Sequence, residues 1–247
     1  MGENSLKSIY QSKVWADIKE KSGLEIVPVD GVLAFSKAKY MPLAGKIKIL
    51  FAEGTPSYDN EWDLLEKLEN FKLKSENYFY GLISPSILDT KEDVFLKAGF
   101  KKVSNHTVLI DLSLGEEELW KNLEKKSMRW GVKTGEKNKL KFSIASKKDV
   151  KDFYKSYLET CKSGGFYAEE KEFLEGLRDS EISKLFVVKS KGKIVAGGLI
   201  LIDERYNYSI LNLTSASVEG LKLQAMPFLY WEMIKYCKSL ALDKFDL

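Results

Sequence analysis

Five basic residues, Lys121, Lys125, Arg129, Lys133 and Lys137, recur at every fourth position within Thr107 to Lys141, the stretch where positive charge is most concentrated. On an α-helix that spacing builds a ridge that drifts by about 40° per step around the axis. Two readings fit it. One is a solvated face, since charge runs are commonly no more than that. The other is a seat for a polyanion, either nucleic-acid phosphates or the diphosphate of a nucleotide-linked substrate, because such binding rests on Lys and Arg neutralising phosphate charge. The chain has only three arginines, and Arg129 stands mid-ridge. A guanidinium makes forked phosphate contacts that an ammonium cannot, which favours the second reading without closing the first.

Other chemistries are excluded by residue usage. His106 is the single histidine, so zincin motifs and multi-histidine metal sites are impossible, and any histidine-dependent hydrolase would rest on that residue alone. It follows a Ser-Asn turn, precedes a predicted strand and lies in no nucleophile-elbow pattern. There is no Walker loop and no GxGxxG. Cys161 and Cys237 lack CxxC spacing, which fits a reducing compartment and excludes a disulfide scaffold or a cysteine zinc site. No cofactor is expected.

The elements that must carry these residues follow from pattern. A length of 247 residues, 44% of them hydrophobic, can bury one large core or two moderate ones, and a net charge of +3 makes clustering matter more than the total. Thr107–Leu112 reads as a strand, and Ser113 with Glu116 and Glu117 as the cap and first turn of the basic helix. That helix would turn Trp120, Leu123, Ser127 and Trp130 toward a core, with Gly131 and Gly135 weakening its end.

Before it, the pattern gives a helix over Ile9–Lys21, a hairpin of Leu24–Val29 and Val32–Ser36 around Asp30-Gly31, and a strand over Lys46–Phe51. A loop to Tyr58, a helix over Asp59–Phe71, a strand over Tyr78–Ile83, a helix over Lys91–Ala98 and a closing strand pair, Phe100–Val103 with Thr107–Leu112, follow. After it come a strand over Leu140–Ala145, helices over Val150–Cys161 and Glu169–Leu177, and a meander of Leu185–Ser190, Lys193–Asp203 and Tyr206–Asn212. A helix opened by Pro227 and a strand over Lys244–Leu247 end the chain.

Both halves thus repeat one α/β pattern, with domains expected at 1–113 and 114–247, the second lacking the first one's closing strands. The polar start, MGENSLK, is not a signal peptide, and the longest apolar run, Ile194–Ile202, is too short to span a bilayer. A soluble cytoplasmic protein without an integral membrane segment is the expectation.

Several of these residues together resemble the Fem family. They are Gln11-Ser12, Trp15 and Lys19, the passage from Gly99-Phe100 through Thr107 to Ser113, Arg129 with Lys133 and Lys137, the meander and Phe245-Asp246. The pattern covers almost the whole chain, although each motif alone is loose. The resemblance implies two tandem acetyltransferase-like (GNAT) domains, the second C-terminally incomplete, in an α/β fold. It also implies transfer of an amino acid from aminoacyl-tRNA to an amine of a nucleotide- or lipid-linked muropeptide precursor.

Carried over residue by residue, Lys19 matches a lysine near the precursor's phosphates, the alternative being an ordinary exposed helix lysine. Tyr167, Tyr206 and Tyr208 fall where relatives line the substrate channel with aromatics, the last two on one face of a strand. Their alternative is an ordinary core or sheet-surface role. Three departures stand out: Lys162-Ser163 replaces a phosphate-binding arginine segment, Ser84-Pro85 replaces an Asp-Pro proposed to assist proton removal, and the relatives' closing segment after Phe-Asp is absent. Two other readings remain. An acyl-coenzyme A transferase on the same fold is disfavoured because Leu221–Pro227 lacks a glycine-rich turn and Pro227 removes a donor. A non-catalytic RNA- or anion-binding module would use the basic helix alone.

Overall fold

The structure, a computed structural model, describes residues 8–42 and 45–247. The stretch 1–7, read above as no signal peptide, lies outside them. The chain forms two compact units: the described residues up to His106 together with Glu204–Tyr206, and Thr107–Asp203 together with Asn207–Leu247.

In the first unit, a 3-10 turn over Ile9–Gln11 leads into α1 (Lys13–Lys21). Ser12 caps that helix, its Oγ accepting from the Trp15 N–H at 3.1 Å. A hairpin of β1 (Glu25–Val29) and β2 (Val32–Met41) follows around Asp30-Gly31, with Val29 paired to Val32. β3 (Gly45–Glu53) is antiparallel to β2. The chain then crosses through α2 (Glu61–Ser75), whose N-cap Asn60 accepts from Trp62 and Asp63, to β4 (Gly81–Ser84), parallel to β3. α3 (Glu92–Lys97) closes the unit. The sheet order is β1-β2-β3-β4. Leu64, Leu68 and Phe71, at helical spacing on α2, bury against Val27, Ala34, Leu50 and Ile83 from all four strands.

The second unit begins with β5 (Leu109–Asp111) and α4 (Glu116–Asn122). A single π-helical turn (Lys125–Arg129) then runs directly into α5 (Trp130–Lys137). β6 (Lys141–Ile144), α6 (Asp149–Gly164) and α7 (Lys171–Arg178) precede the expected meander, β7 (Ser183–Ser190), β8 (Lys193–Asp203) and β9 (Tyr208–Ala216). α8 (Val218–Lys222) and α9 (Ala225–Ser239) lead to β10 (Lys244–Asp246). The sheet order is β5-β10-β9-β8-β7-β6, with only the β10/β9 pair parallel. Phe228, Leu229, Met233, Ile234 and Cys237 of α9 pack on Phe186, Val188, Ala196 and Ile200 of the sheet.

The repeat expected from sequence is present. Each unit has a three-stranded antiparallel meander, then a helix, then a strand returning parallel to the third: β1-β2-β3-α2-β4 and β7-β8-β9-α9-β10.

Four expectations are corrected. The basic helix is not continuous, because Leu123 and Glu124 take extended ψ values of 140° and 128° and separate Lys121 on α4 from the other four basic residues. Its cap is Gly115; Ser113 instead bonds the Asp111 carboxylate through its N–H (3.0 Å) and hydroxyl (2.7 Å). The closing strand pair of the first half is absent. Residues 100–107 are not strand, and β5 pairs antiparallel with β10, because the half-buried Ile110 packs on the second core. Pro227 is the third residue of α9, still within the first turn, where its missing N–H removes no helical bond. No helix among the described residues is long and apolar enough to cross a membrane.

Candidate functional site

The parallel pair β3/β4 ends in a concentration of polar groups, the place where open α/β sheets commonly bind ligands. Glu53, the last residue of β3, is the register partner of Ser84 on β4. Its carboxylate accepts from the Trp15 indole N–H at 2.9 Å and faces the Lys19 ammonium at 3.1 Å. The Glu53 carbonyl accepts from Gln11 Nε2 at 2.7 Å, while Gln11 Oε1 takes the Leu33 N–H at 2.8 Å. Gly54 follows at φ 71°, and a Cβ there would lie 2.8 Å from Tyr10 Cβ, so both its conformation and its surroundings demand glycine. The Gly54 N–H donates to the Ser84 carbonyl at 2.8 Å, tying the two strand ends together.

Beyond β4 the chain folds back on the loop after β3. Thr55, fully buried, donates its hydroxyl to the Asp89 carbonyl at 2.5 Å and accepts from the Ser86 N–H at 3.1 Å. The Asp89 side chain, 10% exposed, takes the Tyr58 hydroxyl on one oxygen at 2.8 Å and the Tyr206 hydroxyl on the other at 2.9 Å. Arg205 stands 3.6 Å from the same carboxylate, its guanidinium 5.0 Å from the Tyr206 ring centroid. Tyr206 and Arg205 lie in the 3-10 turn Glu204–Tyr206, which belongs to the first unit. Burial, then the hydrogen bond to Asp89 and that carboxylate's charge, push the Tyr58 phenol up to about 12.

The basic residues lie in the second unit. Glu124 caps the π turn, its carboxylate accepting from the Ser127 N–H, and backbone N–H bonds from Lys126 and Ser127 hold its pKa below the usual carboxylate value. Lys125, Lys133 and Lys137 are exposed and make no ion pair among the described residues, whereas Lys121 on α4 faces Glu117 at 3.9 Å. Arg129 is half-buried, and its Nε has no hydrogen-bond partner among the described residues. Gly131, Val132 and Gly135 turn inward: a Cβ at Gly131 would sit 2.6 Å from Pro227 Cγ, and one at Gly135 2.8 Å from Phe228 Cβ. The glycines expected to weaken the helix are its contact surface with α9. Trp130, expected in the core, is 54% exposed, and Ser127 is exposed.

The remaining sequence candidates scatter. Lys19 is buried and paired, not an ordinary exposed lysine, and its Nζ lies 4.6 Å from the Trp15 ring centroid. Lys162 is exposed in the last turn of α6, and Tyr167 is exposed in the loop after it. Tyr208 is buried at the start of β9, while Tyr206 lies in the preceding turn, so the two do not share a strand face. Glu53, Tyr58, Asp89 and Arg205 were not singled out by sequence reasoning. The available signal was Glu53-Gly54-Thr55-Pro56, a carboxylate at the point where a strand gives way to a Gly/Pro loop.

No protein-family model matches the sequence, and no curated protein matches it. Solved structures do match in fold. FemX superposes with a TM-score of 0.68 at 15% identity, over 97% of this chain and 83% of its own. The C-terminal domain assigned to a lysylphosphatidylglycerol synthetase from Agrobacterium fabrum gives 0.63 at 15%, over 96% and 73%. L-PGS from Bacillus licheniformis gives 0.61 at 14%, over 96% and 76%. The chain therefore has a FemX-like fold.

Proposed function

We propose that the protein is an aminoacyltransferase of Fem type, moving an amino acid from aminoacyl-tRNA to an amine of a peptidoglycan-precursor stem peptide. The observation that carries this reading is the FemX-like fold over nearly the entire chain. In such a transfer the amine nitrogen attacks the ester carbonyl carbon, a C–N bond forms, and the ester C–O bond breaks to release the terminal ribose hydroxyl. The amine proton passes to a nearby acceptor and leaves the ribose oxygen protonated. The donor is an activated ester, so holding the two reactants in line supplies most of the acceleration and a proton acceptor adds a smaller factor.

Glu53 is the residue we assign as that acceptor. Where relatives place the assisting aspartate this chain has Ser84, and Glu53 lies beside it on the neighbouring strand. Trp15 and Lys19 fix the carboxylate's position through two donors. On this reading Lys19 acts as a positioning residue, in addition to any contact with substrate phosphate.

A second acceptor class is favoured by the other two fold relatives, one of which is named for lysylphosphatidylglycerol. There the attacking group would be a hydroxyl of an anionic lipid in place of an amine. One assay separates these readings: labelled amino acids on a mixed aminoacyl-tRNA pool are offered with a nucleotide-linked muropeptide or with phosphatidylglycerol vesicles. Label in the muropeptide supports the Fem reading, and label in the lipid moves the acceptor. Label in neither, from folded protein, overturns tRNA-dependent transfer and directs the test to acyl-coenzyme A donors. Against those donors, Ala225 in the first turn of α9 is fully buried and Pro227 offers no N–H to a pyrophosphate.

A further inference from the structure

The outward face of α5 combines two features that the basic spacing alone did not reveal together. Gly131, Val132 and Gly135 are buried on one side of the helix. At about 100° per residue, Trp130, Lys133 and Lys137 lie within about 60° of one another on the opposite side. Trp130 is 54% exposed there, and its carbonyl accepts from the Thr134 hydroxyl at 2.8 Å. The π turn before it adds Lys125 and Arg129, and π turns within helices recur at functional sites.

We propose that this face binds the single-stranded end of an RNA, with a base stacked on the Trp130 indole and the flanking lysines and Arg129 on successive phosphates. An exposed indole among unpaired cations is the combination that holds unpaired nucleotides, since every base has a π face and the backbone supplies regular negative charge. A bilayer surface fits less well. An interfacial helix needs a broad apolar side to insert, and here that side is occupied by α9. The proposal rests on the aminoacyl-tRNA reading only for what the RNA is; the recognition stands on α5 itself.

The test is fluorescence anisotropy with the full chain and a labelled single-stranded oligoribonucleotide of about 12 nucleotides, compared with a duplex of the same sequence. Trp130→Ala is expected to weaken the single strand by roughly 5- to 100-fold and the duplex little, with Trp130→Phe restoring part of the loss. Lys133→Gln with Lys137→Gln should weaken both RNAs and flatten the single-strand salt dependence by about 0.7 log unit per lysine. The exposed Lys151 and Lys155 on α6 provide a control of equal charge change. Unchanged binding in Trp130→Ala, an equal loss in the control, or Trp130-dependent binding to anionic vesicles in place of RNA would each overturn the proposal. RNA binding as described with no aminoacyl transfer leaves this site standing and removes the transferase reading. Transfer with RNA binding indifferent to these residues does the reverse.

Discussion

Lys19 is buried, and its ammonium meets a carboxylate that also takes an indole N–H, so the three side chains Trp15, Lys19 and Glu53 act as one unit. Glu53→Gln keeps an oxygen for one of the two donors while removing the proposed proton acceptor, and on that reading is expected to lower the rate of transfer by about 10²- to 10⁴-fold with little change in KM. Steady-state transfer with the urea midpoint as a folding control checks it. Lys19→Met deprives a carboxylate that is only 28% exposed of its counter-charge, and should destabilise the chain by about 1–3 kcal/mol.

Tyr58 yields a pH prediction. Its phenol is raised from 10.0 to about 12, so the folded state holds that proton more tightly than the unfolded chain does. The associated stability is fully present below pH 10 and is lost as pH rises toward about 12. Tyr58→Phe should remove a late-ionising phenol from the ultraviolet titration and reduce the fall in stability across that window.

At the scale of elements, the contact between α5 and α9 is decided by competing magnitudes. Replacing an interior helix glycine with alanine gains about 1 kcal/mol in propensity. At Gly131 and Gly135, however, the new methyl would meet Pro227 and Phe228 at 2.6 and 2.8 Å, and forcing extra volume into a packed contact costs about 1–3 kcal/mol. Neither obstacle is the loose end of a flexible chain: Pro227 is a ring, and Phe228 Cβ is held next to the backbone. Overpacking therefore wins, and Gly135→Ala is expected to lower the urea midpoint with an unchanged slope. The same close approach explains why α5 has only one side available to a ligand. The break at Leu123–Glu124 has a separate effect: Lys121, on α4, is not part of a continuous α5 stripe.

For the whole molecule, a net charge of +3 is too small to organise polyanion binding by itself, so affinity should follow the position of charges more than their number. The two thiols give a fold-wide readout. Cys161 and Cys237 are both buried, and desolvation pushes the Cys237 thiol up to about 11, which leaves little thiolate at neutral pH. Native protein should resist alkylation at both positions, and denatured protein should take up two labels, as mass spectrometry would show. Rapid labelling of the native chain would contradict the packing of α6 and α9.

Local features were legible along the chain. Periodicity, capping residues and turn chemistry located most of the helices and strands, the Asp30-Gly31 hairpin, the meander and the repeat, because each depends on neighbours in the chain. Residue usage likewise excluded multi-histidine and disulfide chemistry. Tertiary structure alone decided the rest. β5 joins the second sheet through β10, a partner more than a hundred residues away that no local pattern reveals. Glu53 comes beside Ser84 through a parallel pairing that spans α2, and Asp89 gathers Tyr58 and Tyr206 from distant segments. Trp130 read as a core residue because helical spacing shows which residues share a side, not which side another helix will cover. That choice was made by Gly131 and Gly135, which lack a Cβ and let α9 approach on their side, leaving the indole and the lysines facing outward.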